Sequence, residues 1–108
     1  MGNGEQLKGH LDLLLLATLA KGPAHGYAVI ELLRATSDGT FDLPEGTVYP
    51  ALHRLERAGL LQSQWAEGNA RRRRVYSLTA PGVRALTEQA EQWRVFADSV
   101  NVIVGAVA

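Results

Sequence analysis

The stretch from Leu43 to Thr79, LPEGTVYPALHRLERAGLLQSQWAEGNARRRRVYSLT, decides the fold of this chain. It predicts a helix with a polar outer face, followed closely by two short strands. The loop between the strands ends in four consecutive arginines, Arg71 to Arg74. A helix that can enter a DNA groove, followed by a basic hairpin that can reach the adjacent backbone, is the pattern of a winged helix-turn-helix.

The helix in this stretch is predicted from about Glu45 to Ala58. Val48, Leu52 and Leu55 recur at helical spacing and should therefore face the core. The residues left pointing away from the core are Thr47, Tyr49, Pro50, His53, Arg54 and Arg57.

Pro50 is unfavourable in a helix interior, because it has no amide donor and its ring clashes with the preceding turn. A helix that starts late, near Gly46 or Thr47, would tolerate this proline. Gly59 is expected to cap the other end of the helix.

Two strands are predicted after this helix, over residues 60–66 and 72–78, because their residues alternate well in polarity. The turn residues between the strands are Glu67, Gly68 and Asn69. Thr79 is a suitable N-cap for a last helix that continues to about Val104, with Pro81 in its first turn.

Two further helices are predicted upstream, over residues 5–20 and 25–35. The first contains LDLLLLATLA (11–20), whose leucines cover more than one face, so this helix should be buried on several sides. KGP (21–23) ends it, and SDG (37–39) forms a turn after the second helix.

The last helix carries an unbroken apolar seam with alternating spacings of three and four residues. A domain this small does not need such a seam for itself, so the expected partner is a second copy of the chain. The fold class is thus mainly α with a small β-hairpin: a winged helix-turn-helix (1–79) and a long C-terminal dimerisation helix (80–108) in one structural domain. The seam consists of Val83, Leu86, Ala90, Trp93, Ala97, Val100, Val104 and Val107.

Composition narrows the function further. The chain has 108 residues, a net charge of zero and no cysteine, which suits one small domain without disulfides. A local arginine run on a neutral protein favours sequence-selective over indiscriminate nucleic-acid binding. The apolar stretch 11–20 is too short to span a bilayer and lacks signal-peptide features, so we expect a cytoplasmic protein without membrane contact.

Three sequence stretches together resemble the PadR family of bacterial transcriptional regulators. They are KGHLDLLLLATLAKGPAHGYAVI (8–30), EGTVYPALHRLERAGLL (45–61) and RRRVYSLTAPG (72–82). The single terminal helix is similar to the short PadR subfamily, including its lactococcal multidrug-binding member. The resemblance implies a homodimer that represses nearby genes.

The resemblance also implies residue roles. Thr47, Tyr49 and Pro50 would lie on the exposed N-terminal part of the recognition helix, and Tyr27 of the HGY motif would contact a phosphate. Trp93 matches a tryptophan that lines a flat ligand pore at the dimer interface of the lactococcal protein. Trp65 resembles a second tryptophan, in the wing of that protein.

Several residues have a structural interpretation beside the functional one. The arginine run, Arg71, Arg72, Arg73 and Arg74, would contact DNA as part of a wing, although charge runs are usually solvated faces. Alternation along the strand would point only half of these arginines in one direction. Tyr49 could merely pack on the neighbouring helix, and His53 and Arg54 could face solvent or a phosphate instead of reading bases.

Trp93 could fill the dimer core, or it could be a platform for a planar apolar effector. Its seam neighbours Ala90 and Ala97 are small, which would leave a gap in which such a compound could stack. Trp65 would be a second wall of that site. His10, His25 and His53 have no metal-ligand spacing, so neither a metal nor a cofactor is expected.

The sequence therefore predicts a homodimeric, sequence-specific DNA-binding regulator, most simply a repressor that binds an inverted-repeat operator. No motif of an enzyme is found. Two alternatives stay open: a winged-helix module for protein–protein contact, and a repressor without a small-molecule effector.

Overall fold

The computed structural model describes residues 9–67 and 72–105 as four helices and three strands within those ranges. This arrangement confirms the predicted mainly helical class with a small sheet and a long last helix. The elements are α1 (Leu11–Leu19), β1 (Ala24–His25), α2 (Gly26–Thr36), α3 (Glu45–Arg57), β2 (Leu61–Ala66), β3 (Arg73–Leu78) and α4 (Ala80–Gly105).

The sheet is antiparallel, with β3 between β1 and β2. In the hairpin, Leu61 pairs with Leu78 and Ala66 pairs with Arg73. The short strand β1 adds Ala24 opposite Tyr76 on the other edge. Sequence patterning missed β1, because two residues are too few to show an alternating pattern.

The core lies where α1, α2 and α3 meet the sheet. Its fully buried side chains include Leu15 and Leu16 of α1, Leu52 and Leu55 of α3, and Tyr76 of β3. Leu19 and Thr18 of α1 are buried as well, in agreement with a first helix that is covered on several sides.

One expectation about a helix end was wrong. A first helix continuous from residue 5 does not form, because Gly9 and His10 make a turn in which Gly9 has a φ of +89°, and α1 begins at Leu11; residues 5–8 lie outside the described ranges. α3 begins at Glu45, as predicted, and the later start that would have accommodated Pro50 does not occur. Pro50 lies inside the helix, so the Gly46 carbonyl lacks the amide donor that another residue at position 50 would supply.

Gly59 ends α3 as expected. Its φ is +83°, which favours glycine, and its amide donates to the Glu56 carbonyl at 3.0 Å. The Leu60 amide donates to the Leu55 carbonyl at 3.0 Å. These two bonds form a Schellman motif, which turns the chain directly from α3 into the hairpin.

Thr79 connects that turn to α4. Its hydroxyl donates to the Gly59 carbonyl (2.6 Å) and accepts from the Gly82 amide (3.1 Å). Gly82 is buried, and a side chain there would overlap the Leu60 carbonyl. One threonine and one glycine thus hold the start of α4 against the end of α3.

Beyond this start, α4 leaves the body of the protein. The radius of gyration is 15.4 Å and the longest dimension is 55 Å, whereas a compact domain of this size has a radius of about 13 Å. Gly82 is the only buried residue among those of α4. The helix therefore presents an apolar surface that its own chain does not cover.

We expect Thr79→Val to lower the free energy of unfolding by about 1–2 kcal/mol, because it removes an N-cap and a second hydrogen bond. Chemical denaturation at one fixed protein concentration measures the change. Thr79→Ser keeps the hydroxyl and serves as the control; equal losses in both variants would contradict a capping role.

Candidate nucleic-acid interface

The two faces of α3 differ as the sequence predicted. Val48, Leu52 and Leu55 are 0–1% exposed and lie in the core. Thr47 and Tyr49 are half-buried at its edge, and the residues on the solvent side are Pro50, His53, Arg54 and Arg57. Packing of the apolar face thus leaves a polar ridge on the outside.

Tyr49 packs on α2 and also faces an open cleft. A side chain at Gly26 would overlap the ring and hydroxyl of Tyr49, so this close approach of the two helices requires glycine. The ring of His53 lies 6.5 Å from that of Tyr49. The two roles considered for Tyr49, packing on the neighbouring helix and contact with a phosphate or base edge, are compatible in this position.

Arg54 is held by another helix. Its guanidinium donates two hydrogen bonds to the carboxylate of Asp12 in α1, at 2.7 and 3.0 Å. This hydrogen bonding raises the pKa of Arg54. The sequence signal for the pair was Asp12, a charged residue within an otherwise apolar helix.

The arginine run divides between the two sides of β3, as strand alternation requires. The guanidinium groups of Arg72 and Arg74 lie over the Trp65 ring, 4.8 and 5.2 Å from its centroid. Arg73 lies near His25 of β1, with 3.0 Å between its Nη1 and the Nε2 of the imidazole. Arg71 lies outside the described residues.

A hydrogen-bond network that sequence reasoning missed joins the hairpin to α3. The Ser63 hydroxyl donates to the Glu56 carboxylate at 2.7 Å, and Arg74 Nε donates to the Ser63 hydroxyl at 2.8 Å. Arg74 also lies 3.8 Å from the Glu56 carboxylate. Only the register of the hairpin brings these residues together, so no local pattern could have revealed them.

His25 is the N-cap of α2. Its Nδ1 accepts from the Ala28 amide at 3.2 Å, in agreement with the expectation that this ring packs or caps at the start of the helix. Partial burial and the positive charge of Arg73 lower the pKa of His25. The neutral imidazole is therefore the main form at pH 7.

These elements enclose a cleft of 540 Å³ between α2, α3 and β3. Its cations come from β3 and from Arg72, the residue before it, and one carboxylate comes from α3. The hydroxyl of Tyr27 is hydrogen-bonded to Glu31, which raises the pKa of Tyr27. The lining residues are His25, Gly26, Tyr27, Glu45, Tyr49, Arg72, Arg73 and Arg74.

The tryptophans proposed as effector walls lie in different surroundings. Trp93 of α4 contacts His10 edge-on, with 4.9 Å between ring centroids, and lies 5.8 Å from the Phe96 ring. A cleft of 380 Å³ beside it is lined by residues of α1 and α4. Trp65, Ala90 and Ala97 are not among the described residues that line this cleft.

The apolar surface of α4 is wider than the predicted seam. Leu86 packs against the core, whereas the seam residues Val83, Trp93, Val100 and Val104 are 38–57% exposed. Phe96 and Ile103, which the seam omitted, are 57% and 71% exposed. Their spacing from Trp93 and Val100 was visible in the sequence, and it broadens the stripe beyond that of a two-stranded coiled coil.

Within residues 9–67 and 72–105, no group of three or more histidine, aspartate or glutamate side chains could hold a metal ion. Within the same ranges, none of the helices combines the length and apolarity needed to cross a lipid bilayer.

A basic hairpin beside a helix with a polar outer face defines a protein of the winged-helix class. The chain belongs to the PadR-like family of transcriptional regulators, whose pattern matches residues 15–88. It is accordingly a transcriptional regulator and not an enzyme.

Individual relatives agree with this assignment. The chain is similar to the structure of a transcriptional regulator from Clostridium thermocellum, at 28% identity and a TM-score of 0.84, over 93% of this chain and 98% of that one. A PadR family regulator from Eggerthella lenta is 36% identical, with a TM-score of 0.78 over 93% and 86% of the two chains. The transcriptional regulator YqjI of Escherichia coli is 28% identical over 91% of this chain, which spans 46% of YqjI.

The lowered pKa of His25 makes stability depend on pH. Because the folded protein resists protonation of His25, this contribution is complete above the unfolded-state pKa of about 6.5 and is lost as pH falls through the folded-state pKa. We expect the melting temperature to fall more between pH 7.5 and 5.5 in the natural protein than in His25→Asn, which keeps a capping acceptor but cannot titrate. Equal falls would show that His25 protonation does not affect stability.

Proposed function

We propose that this regulator is a homodimeric repressor that binds an inverted-repeat operator. Residues 1–79 would bind DNA, and residues 80–108 would form the dimer. The observation that carries the proposal is the cleft at which β3 arginines, α2 and the polar face of α3 converge. Such a regulator would act in the cytoplasm, where the chromosome lies.

The position of α3 supports major-groove entry. Its core face is buried, so Pro50 and His53 remain exposed along the opposite side. Tyr49 and Thr47 lie at the N-terminal part of the same helix, where contact with base edges or phosphates is usual for a recognition helix. Tyr27, at the start of α2, would contact the flanking backbone in competition with its hydrogen bond to Glu31.

Contacts within the chain suggest different roles for the wing arginines. Arg74 is held by Ser63 and Glu56, so it would mainly position the wing. Arg73 lies on the other side of β3, within the cleft and close to His25, and would contact a phosphate. Arg54 is already engaged by Asp12, so any DNA contact by Arg54 would compete with that bond.

The exposed stripe on α4 supports dimerisation. A contiguous apolar surface on a protein of this size marks an interaction site. The long helix carries Trp93, Phe96, Val100 and Ile103 along one side. Burial of this stripe against a second copy would place two recognition helices about a two-fold axis, which requires an operator of matching symmetry.

The cleft beside Trp93 supports an effector that releases the repressor. The rings of His10, Trp93 and Phe96 line it, and residues of both α1 and α4 contribute. A planar apolar compound stacked on Trp93 would have to prefer one spacing of the two recognition helices in order to change operator affinity. Within one protomer the ring of Phe96, 5.8 Å from that of Trp93, would form the second wall, whereas Trp65 lies in β2 beside Arg72 and Arg74.

Selection of operators from a pool of random DNA, followed by binding titrations at several salt concentrations, tests DNA binding. We expect an inverted repeat with half-site centres about one helical turn apart, or a multiple of it. Arg73→Gln should lower the log–log salt slope by about one for each wing in contact, because one phosphate contact is lost. Arg74→Gln is the matched control and should lower the slope less.

A protein that enriches no sequence, and whose weak binding does not respond to the arginine substitutions, would instead use its winged helix for contact with another protein.

We expect Trp93→Ala to shift the equilibrium from dimer to monomer in sedimentation experiments, because the substitution removes a large apolar side chain from the interface. In a Trp65→Phe background, Trp93 is the only remaining tryptophan. Its fluorescence should then be quenched by uncharged polycyclic aromatic compounds that also weaken operator binding. Dimer loss in Trp93→Ala, without quenching by any compound, would support a repressor that has no effector at this site.

A further inference from the structure

His25 stands between two hydrogen-bond donors. The Ala28 amide points at its Nδ1 at 3.2 Å, and Arg73 Nη1 lies 3.0 Å from its Nε2. A neutral imidazole has one acceptor nitrogen and one N–H, and arginine never accepts. The Ala28 amide and the Arg73 guanidinium therefore compete for a single acceptor nitrogen, so only one of the two contacts can be a hydrogen bond.

The helix decides which nitrogen accepts. An amide in the first turn of a helix has no partner within that helix, so the N-cap contact to the Ala28 amide satisfies a group that otherwise lacks one. Arg73 is exposed and loses little by turning to another acceptor. The proton of His25 consequently belongs on Nε2, where N–H and guanidinium both point into the cleft.

The remaining charges of the cleft favour an anion at this point. Arg73 and Arg74 of β3 and the preceding Arg72 line it, and the opposing charge is the carboxylate of Glu45 from α3. Arg74 is paired with Glu56 and lies with Arg72 over Trp65, whereas Arg73 lies next to His25. The Tyr49 hydroxyl lies beside Gly26 at the same cleft and is a neutral donor.

We propose that the Nε2–H of His25 and the guanidinium of Arg73 together bind one phosphate of the DNA backbone. This inference rests on the proposed function and adds to it one residue, His25, with two roles. Nδ1 of His25 holds the start of α2, and Nε2 of the same ring binds the phosphate that this helix faces. The bound oxygen supplies the second acceptor that the Ala28 amide and the Arg73 guanidinium together require.

The contact has a distinct signature, because its two donors differ in charge. Arg73 neutralises a phosphate and releases a counterion, so its loss lowers the salt slope. Neutral His25 contributes a hydrogen bond without counterion release. Its loss should weaken binding equally at every salt concentration and leave the slope unchanged.

Two substitutions separate the two nitrogens of His25. His25→Asn retains an acceptor near the position of Nδ1 and is a favourable N-cap, but has no donor at the distance of Nε2. His25→Gln extends an amide donor toward the position of Nε2 and is a poor cap. His25→Asn should keep the melting temperature and lose the phosphate contact. His25→Gln should keep the phosphate contact and have a lower melting temperature.

The experiment measures operator affinity of the full-length chain at three salt concentrations, together with its melting temperature. We expect His25→Asn to bind about threefold to tenfold more weakly than the natural protein, with an unchanged slope and melting temperature. His25→Gln should melt lower and bind nearly as well when assayed far below its melting temperature. Because both donors bind one phosphate, His25→Asn should weaken binding less in an Arg73→Gln background than in the natural protein.

Three results would overturn the inference. If His25→Asn binds the operator as tightly as the natural protein does, His25 acts only as the N-cap of α2. A salt slope lowered by His25→Asn would mean that His25 binds DNA as a cation, and additive effects of the two substitutions would place the two residues on separate phosphates. If the natural protein selects no operator at all, the proposed function itself fails, and this outcome is distinct from the other three.

Discussion

The burial of one face of α3 is the contact on which the rest of this structure depends. Val48, Leu52 and Leu55 pack into the core with almost no exposure. Their burial fixes the rotation of the helix about its axis, because a turn by one residue would move apolar side chains into water and charged ones into the core. The polar ridge of α3 is thus a consequence of core packing.

The hairpin is attached to the C-terminal end of the same helix. The Schellman turn at Gly59 directs the chain from α3 into β2, and Ser63 and Arg74 return to Glu56 on α3. Thr79 then joins the end of β3 to the turn at Gly59. α3 and the hairpin are therefore joined at the base of the hairpin through Gly59 and Thr79 and again through Ser63 and Arg74, which holds them as one surface.

The long last helix has a different energetic role. Its first turn is fixed by Thr79 and Gly82, while its distal half exposes Phe96, Ile103 and other apolar side chains to water. A monomer gains little from such a stripe, because apolar area stabilises only when it is removed from water. The same helix supplies Trp93 to the cleft shared with α1, so a dimer contact and a ligand contact would act on one element.

The sequence by itself determined the helices, the hairpin and the family, because these depend on local periodicity, caps and turn residues such as Gly59 and Thr79. The predicted start of α3 at Glu45 was correct for the same reason. Its outer face was predicted correctly for Pro50, His53, Arg54 and Arg57, whereas Thr47 and Tyr49 are half-buried. Only the tertiary structure decided the pairs Arg54–Asp12, Arg74–Glu56 and Arg73–His25. These pairs join residues far apart in the chain, and their distances depend on how helices and strands pack, which no local pattern encodes.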